Sequence, residues 1–252
     1  MKHALPIAPI LGIPVVRATE ADALIEIERL AVEAAPALLV YVNAHTLELS
    51  ARDADLRRLL REDAALVMND GVGVSIAAKM MGKENFPANL NGTDLTPKIF
   101  QLAAAKGWRV YLFGAAPGVA EKAAARFLAT IPNLVIAGTR SGFFSTEDEP
   151  SIIQQIREAA TDLLVVGMGN PKQEKWLARH LASTGAKIGI GVGAFLDFSA
   201  GVFPRAPLWV QKVKLEWLFR MSREPRRLWK RYLLGGPVFL ARVAWSRLMG
   251  EK

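Results

Sequence analysis

The chain has 252 residues, 51% of them hydrophobic, with a formal net charge of +8 and no cysteine. That apolar content is enough for one large domain, or a domain with an appendage, and excludes a disordered chain. The absence of thiols excludes disulfides, iron–sulfur clusters, thiolate zinc sites and a cysteine nucleophile, and fits a reducing, cytoplasmic setting.

In chain order, the N-terminus begins Met1-Lys2-His3-Ala4-Leu5-Pro6, without the long apolar core and small-residue cleavage site of a signal peptide. No apolar stretch escapes Lys, Arg, Asp or Gly for the ~20 residues that a spanning helix needs. From Leu38 to Val192, short β-branched runs alternate with longer Ala-rich helical patterns, the signature of parallel strands joined by crossover helices. Strands are expected near 38–43, 65–69, 108–113, 133–138, 162–167 and 187–192. Helices are expected over 48–62, 73–82, 93–106, 117–130, 150–160 and 172–183, with Thr93 and Pro171 at two of the starts. The expected fold is α/β: a Rossmann-like, doubly wound, mostly parallel sheet over residues 1–201, followed by a basic helical appendage over 202–252. Ligands of such sheets gather at the C-terminal ends of the strands.

Several of those strand ends carry chemistry. The second runs into Asn69-Asp70-Gly71-Val72-Gly73. An acid between a buried strand and a helix start either caps that helix or serves a ligand. In a cleft, partial desolvation would raise its basicity and suit it to take a proton from a hydroxyl. His45, after the first strand, is a second candidate base or a hydrogen-bonded structural residue. At Phe113-Gly114-Ala115-Ala116-Pro117-Gly118 a tight turn offers backbone N–H groups that could hold a phosphate. The G-x-G-x-x-G spacing of a dinucleotide fingerprint is missing there, and no ribose-binding acid follows the next strand, so a nicotinamide oxidoreductase loses its support. The fifth strand enters Gly167-Met168-Gly169-Asn170-Pro171-Lys172-Gln173-Glu174, where Gly169 permits close backbone approach and Lys172 and Gln173 could meet an anion or a sugar hydroxyl.

Beyond Gly201 the composition changes. Residues 203–252 hold 12 Lys and Arg against 3 Asp and Glu, leaving 20 against 21 for the first 202, and four of the six tryptophans lie there. Leu215, Phe219 and Met221 recur at helical spacing beside Lys212, Lys214, Arg220 and Arg223. This suits an amphipathic helix on an anionic membrane surface, or a helix packed on the core with a solvated basic face. No nucleic-acid motif accompanies the charge.

Taken in order, Asn43-Ala44-His45-Thr46, Asn69-Asp70-Gly71, Gly92-Thr93-Asp94-Leu95, Gly167 to Glu174, Arg205-Ala206-Pro207, Leu215-Glu216-Trp217-Leu218-Phe219-Arg220 and Glu224-Pro225-Arg226-Arg227 span nearly the whole chain. Together they resemble the WecG/TagA/CpsF glycosyltransferases. The resemblance implies transfer of a hexose, N-acetylmannosamine-type or glucose, from a UDP-sugar to an undecaprenyl diphosphate-linked sugar in bacterial surface or exopolysaccharide biosynthesis. Inversion at the anomeric carbon, no cofactor and no obligatory metal are implied with it. Asp70 falls on the family's proposed base and Asn43 beside it, with Thr46, Gly71, Asp94, Gly114, Gly169, Lys172 and Gln173 on the donor side. The tail falls on the appendage that completes the site at the membrane, with Arg220, Arg226, Arg227 and Arg231 as candidates for the acceptor diphosphate. The implied location is peripheral, at the cytoplasmic face of the inner membrane, with a homo-oligomer left open. Where the family often has Arg shortly before the Gly-x-Asp motif, this chain has Asn89-Leu90-Asn91. The rival class is a non-catalytic, membrane-associated protein that binds a nucleotide in its core.

Overall fold

The computed structural model describes residues 5–213 and 215–250. Two short strands, β1 (Ile7–Ile10) and β2 (Ile13–Val16), form an antiparallel hairpin. Its two-residue turn places Leu11 and Gly12 at positive φ, 51° and 78°, the twist that matches paired strands. A helix over Glu20–Leu30 follows, opened by a Thr19/Asp22 capping box. Neither the hairpin nor this helix was expected from the sequence pattern.

The other six strands are β3 (Ala37–Val42), β4 (Ala64–Asn69), β5 (Arg109–Gly114), β6 (Val135–Arg140), β7 (Leu163–Gly167) and β8 (Ile188–Gly191). Each lies within two residues of its expected start and end. They form one parallel sheet in the order β4-β3-β8-β7-β5-β6. The Rossmann-like α/β class is therefore met. Alternation along β3 shows how the two faces are built. Leu39 and Tyr41 join one apolar cluster with helices over 20–30, 92–106 and 119–130, whereas Leu38, Val40 and Val42 join a second. That second cluster holds helices over 44–50, 72–80, 149–158 and 172–184. Burial on both faces explains why the strands read as continuous apolar runs.

One expected helix is broken. The span 48–62 divides into Ala44–Ser50, Ala54–Arg58 and a π-helical turn over Leu59–Asp63. Two caps cause the division. Asn43 accepts from the backbone N–H groups of His45 and Thr46 and starts the first helix early, and Asp53 accepts from Leu56 N (3.1 Å) and starts the second. In the same way Asn91, rather than Thr93, caps the helix Gly92–Lys106.

Past Gly201 the chain makes short helices over Leu208–Lys212, Glu216–Arg223 and Pro225–Trp229 and a π turn over Lys230–Leu234, then a longer helix, Gly235–Leu248. This last helix returns to the core. Phe239 and Val243 are fully buried in the second cluster, and Arg242 pairs with the buried Glu48 (Nε to Oε2 3.1 Å). Among the described residues no helix is long and apolar enough to cross a membrane.

The edge where β7 and β8 end is organised by a buried polar side chain. Gln173 Oε1 accepts from Gly169 N (3.1 Å) and Gly193 N (2.9 Å), tying the two strand exits together. Its Nε2 donates to Glu174 Oε1 (2.8 Å), which also accepts from Asn170 Nδ2 (2.6 Å). Burial pushes the Glu174 carboxyl up to about 7, with the Gln173 hydrogen bond opposing.

Two expectations follow for stability. Phe239→Ala empties a fully buried ring site between the tail and the core, and should cost about 3–5 kcal/mol in urea unfolding. Glu174 binds its proton more tightly when folded, so its contribution is present below the ordinary glutamate pKa and is lost as pH rises through about 7. The wild-type unfolding midpoint should therefore fall between about pH 5 and pH 8, with Glu174→Gln flattening that fall. Equal slopes in the two proteins would show that Glu174 titrates normally.

Candidate active site

Asp70 follows β4 directly, its backbone N–H donating to Val42 O (2.8 Å) and so extending the ladder to β3 by one rung. The next helix, Val72–Met80, starts from Gly71 at φ +89° with no side-chain cap. Asp70 therefore does not serve as the cap that the sequence left open. Its carboxylate instead lines a cavity of about 440 Å³ together with Asn43, Gly71, Arg205, Arg220 and Arg231. Apolar walls come from Val72, Ile76, Phe198, Trp217 and Tyr232.

The electrostatics of this carboxylate are set by opposing effects. Burial pushes its pKa up, and the Asn43 hydrogen bond (Nδ2 to Oδ2 3.5 Å) and the Arg231 and Arg220 guanidiniums pull it back without cancelling the rise. The result is a carboxylate more basic than one in water. His45 moves the opposite way. Burial and Arg231 push its imidazole down to about 4 against the pull of Glu48, so it is neutral at physiological pH.

Asn43 links this electrostatics to the fold. Its Oδ1 accepts from His45 N (3.1 Å), Thr46 N (3.1 Å) and Thr46 Oγ1 (3.2 Å), which leaves only Nδ2 to turn toward Asp70. Thr46 is fully buried behind this cap and does not line the cavity. On the opposite wall, Asn89 Oδ1 accepts from Gly71 N (2.8 Å). Asn89 and Asn91 thus line the cavity, with Leu90 between them buried in the core. A guanidinium reaches the cavity from elsewhere, because Arg205 pairs with Asp94 (2.7 Å) and with Glu216 (3.4 Å). Burial works against the Asp94 charge, yet Arg205 and Asn91 hold its carboxyl below the usual range. Asp94 is therefore engaged by Arg205 and stands behind the wall.

A second cavity of about 570 Å³ adjoins the first, sharing His45, Arg220 and Arg231 with it. Gly169, Asn170, Gly193 and Ala194 supply its floor, and Leu228, Lys230, Leu234 and Val238 of the tail its other side. Arg220 lies over the Phe198 ring (5.0 Å) and Arg231 over Tyr232 (5.5 Å), contacts that orient both guanidiniums.

Of the residues singled out in the sequence, Asn43, Asp70, Gly71, Arg220 and Arg231 meet around one cavity and Gly169 lines its neighbour. Others are placed differently. A Cβ on Gly114 would fall 2.3 Å from Gly167 O, and Ala115 N donates to that same oxygen (2.8 Å). This glycine lets β5 and β7 approach, and the adjacent N–H is already engaged. Gln173 is buried and holds backbone, Lys172 is exposed, and neither lines either of these two cavities. Arg226 is exposed and outside both cavities, and the Arg227 side chain lies outside the described residues. Arg205, Asn89 and Trp217 were not singled out as site residues. Arg205 and Trp217 lay inside quoted motifs, but no rule of spacing marks them as facing a cavity.

The family model described as "Glycosyl transferase WecG/TagA/CpsF family" matches residues 8–252. An N-acetylglucosaminyldiphosphoundecaprenol N-acetyl-beta-D-mannosaminyltransferase of Bacillus subtilis (strain 168) is 31% identical over 199 residues, covering 78% of this chain and 75% of the relative. A Staphylococcus aureus (strain MRSA252) protein of the same description is 29% identical over 216 residues, covering 86% and 80%. A match over nearly the whole length, around a strand-end carboxylate and the basic tail that faces it, makes this chain a member of the WecG/TagA/CpsF glycosyltransferase family.

Proposed function

We propose that this glycosyltransferase moves an N-acetylmannosamine-type hexose from a UDP-sugar to the sugar of an undecaprenyl diphosphate-linked acceptor, with inversion. The observation that carries the reading is the position of Asp70: free of any capping duty, raised in basicity, and facing Arg220 and Arg231 across a cavity. The donor and acceptor types rest on the names of the Bacillus and Staphylococcus relatives.

In this mechanism Asp70 takes the proton of the acceptor hydroxyl, whose oxygen attacks the anomeric carbon from the face opposite the nucleotide. The bond from that carbon to the diphosphate oxygen breaks, and UDP leaves with the electron pair. Asn43 keeps the carboxylate oriented through Nδ2. The diphosphate charges are balanced by guanidiniums, without an obligatory metal. Arg220 and Arg231 stand where two cavities meet, which suits them to lie between donor and acceptor phosphates. The glycines at 169 and 193 let backbone come close to a ligand in the second cavity.

Association with an anionic membrane is the natural setting for a lipid-linked acceptor. The helix Gly235–Leu248 and the turn before it expose Leu234, Val238, Ala241, Trp245 and Leu248 at helical spacing, opposite the buried Phe239 and Val243. Trp209, Leu218 and Trp229 are exposed nearby in sequence, among Arg223, Arg226 and Lys230. Exposed apolar and aromatic side chains amid cations are the composition of a peripheral interface helix. We assign residues 202–252 this acceptor-binding and membrane-binding role, at the cytoplasmic face of the inner membrane.

Asp70→Asn should cut transfer from UDP-N-acetylmannosamine to a short-chain lipid diphosphate acceptor by at least about 100-fold. A pKa raised by folding means the ionised carboxylate contributes least to stability at neutral pH, so the Asn variant should unfold no earlier than wild type. Near wild-type turnover in that variant would remove Asp70 from the chemistry. Because the base must be ionised, the acid limb of kcat/KM should rise with pH through a midpoint above the ordinary aspartate value of about 4. An acid limb centred at or below that value would show a fully solvated carboxylate.

A further inference from the structure

A third cavity, of about 590 Å³, lies away from Asp70, between the hairpin turn, the end of the helix Ala44–Ser50, the helical turns over 54–63 and the final helix. Its lining includes Arg57, Arg61, Arg242, Ser50, Trp245 and Ser246. Arg57 and Arg61 stand four residues apart on consecutive helical turns, so they share a face.

Neutralisation of this cluster is incomplete. Glu48 is engaged by Arg52 and Arg242, Asp53 by Lys175 (2.6 Å) and Asp63 by Arg58 (3.2 Å). Asp55 and Glu62, on the same segment, do not line the cavity. Neither Arg57 nor Arg61 has a carboxylate within ion-pair distance among the described residues. Arg57 Nη2 has only a long contact with Leu11 O (3.5 Å). Arg242, gripped by Glu48 through Nε and Nη2, keeps its remaining N–H groups free to turn elsewhere.

One buried group points to a ligand independently of the charge. Ser246 is 3% exposed and lines the cavity, and its buried Oγ has no hydrogen-bond partner. A buried hydroxyl without a partner is costly, and a turn of its side chain toward an acceptor oxygen in the cavity relieves the cost. The guanidiniums of Arg57 and Arg61, the N–H groups of Arg242 that Glu48 does not take and this hydroxyl therefore stand around a single cavity as a set of donors in excess of acceptors. Oxyanions of tetrahedral geometry, with several acceptor oxygens and one or two charges, match it.

We propose that this cavity is a phosphate-binding site, separate from the transfer site, that takes a phosphomonoester or phosphodiester group. Trp245 in its wall, with Leu248 and Met249 exposed one turn further along the helix, would lay a lipid headgroup and its chains along the same surface. A free phosphate compound shares the recognition chemistry, so the experiment has an arm for each source.

The first arm titrates inorganic phosphate calorimetrically, at fixed ionic strength, into full-length protein carrying Arg220→Ala and Arg231→Ala, which removes the cations beside Asp70. Saturable binding should persist there and weaken about tenfold or more when Arg57→Ala and Arg61→Ala are added. The second arm measures co-sedimentation of the otherwise wild-type chain with phosphatidylcholine vesicles containing phosphatidic acid, with and without the Arg57→Ala/Arg61→Ala pair. A charge-matched pair at the exposed Lys122 and Lys187, both changed to Ala, corrects for bulk attraction. Selective loss in the vesicle arm identifies a lipid headgroup, and loss confined to the phosphate arm identifies a free phosphate compound. Unchanged binding in both arms, or a vesicle effect matched by the lysine pair with no loss of phosphate, overturns the proposal. Because Arg57 and Arg61 are exposed, circular dichroism should report an unchanged fold, and transfer to a short-chain acceptor in detergent should stay within about twofold of wild type.

Discussion

The site depends on one constraint, which is that a carboxylate at the end of a buried parallel strand must be left without a helix to cap. Gly71 makes this possible. By taking φ +89° it turns the chain into the helix Val72–Met80 with its own backbone, so Asp70 is not drawn round to the first N–H groups. Asn89 reinforces the turn by accepting from Gly71 N. The capping demand of the neighbouring helix is met by Asn43, whose carbonyl oxygen is fully engaged and whose amide then has only Asp70 to face. Two adjacent strand ends thus divide the work. One side chain satisfies backbone, and the other is left free of that duty and lines the cavity.

The same division runs along the rest of the sheet edge. Gln173 reads in the sequence as a ligand contact at a helix start, but it lies beneath the surface with Glu174 and fastens the exits of β7 and β8. Gly114 is small because β5 meets β7 there, and Gly167 because Gly193 O and the Leu196 side chain lie against it. What this part of the edge presents to the second cavity is backbone at 169 and 193, with arginines contributed by the tail on the cavity's other side.

This division explains how much could be read in advance. The six parallel strands were legible within two residues, because burial on both faces forces continuous apolar runs and crossover helices separate them cleanly. Asp70 was legible as a candidate because an acid in that position has few reasons to exist, although its two remaining reasons could be separated only by seeing Gly71 take over the helix start. The hairpin was not legible: its turn is Leu11-Gly12 instead of Asn-Gly, and Pro14 sits inside its second strand. Nor was the direction of Gln173, since a polar residue at a helix start reads the same whether it faces out or in. Arg205 was hidden for a different reason. Its place beside the cavity depends on pairing with Asp94, more than a hundred positions earlier, and no local pattern encodes that.

The tail is therefore best understood as staked at both ends. At its start Arg205 joins Asp94 of the core to Glu216 of the tail, and at its finish Arg242 joins Glu48 while Phe239 and Val243 bury themselves beside it. Between the stakes lie the short helices and the π turn that carry Arg220 and Arg231 over Asp70 and leave Leu218, Trp229, Leu233 and Leu234 exposed. Burying charged stakes is costly unless each is fully partnered, and Glu48 holds two guanidiniums at once. An arm held this way fixes its guanidiniums relative to the carboxylate through the fold itself. Its exposed apolar side chains, among them Leu218, Trp229, Leu233 and Leu234, are distinct from the buried Phe239 and Val243 that fasten it.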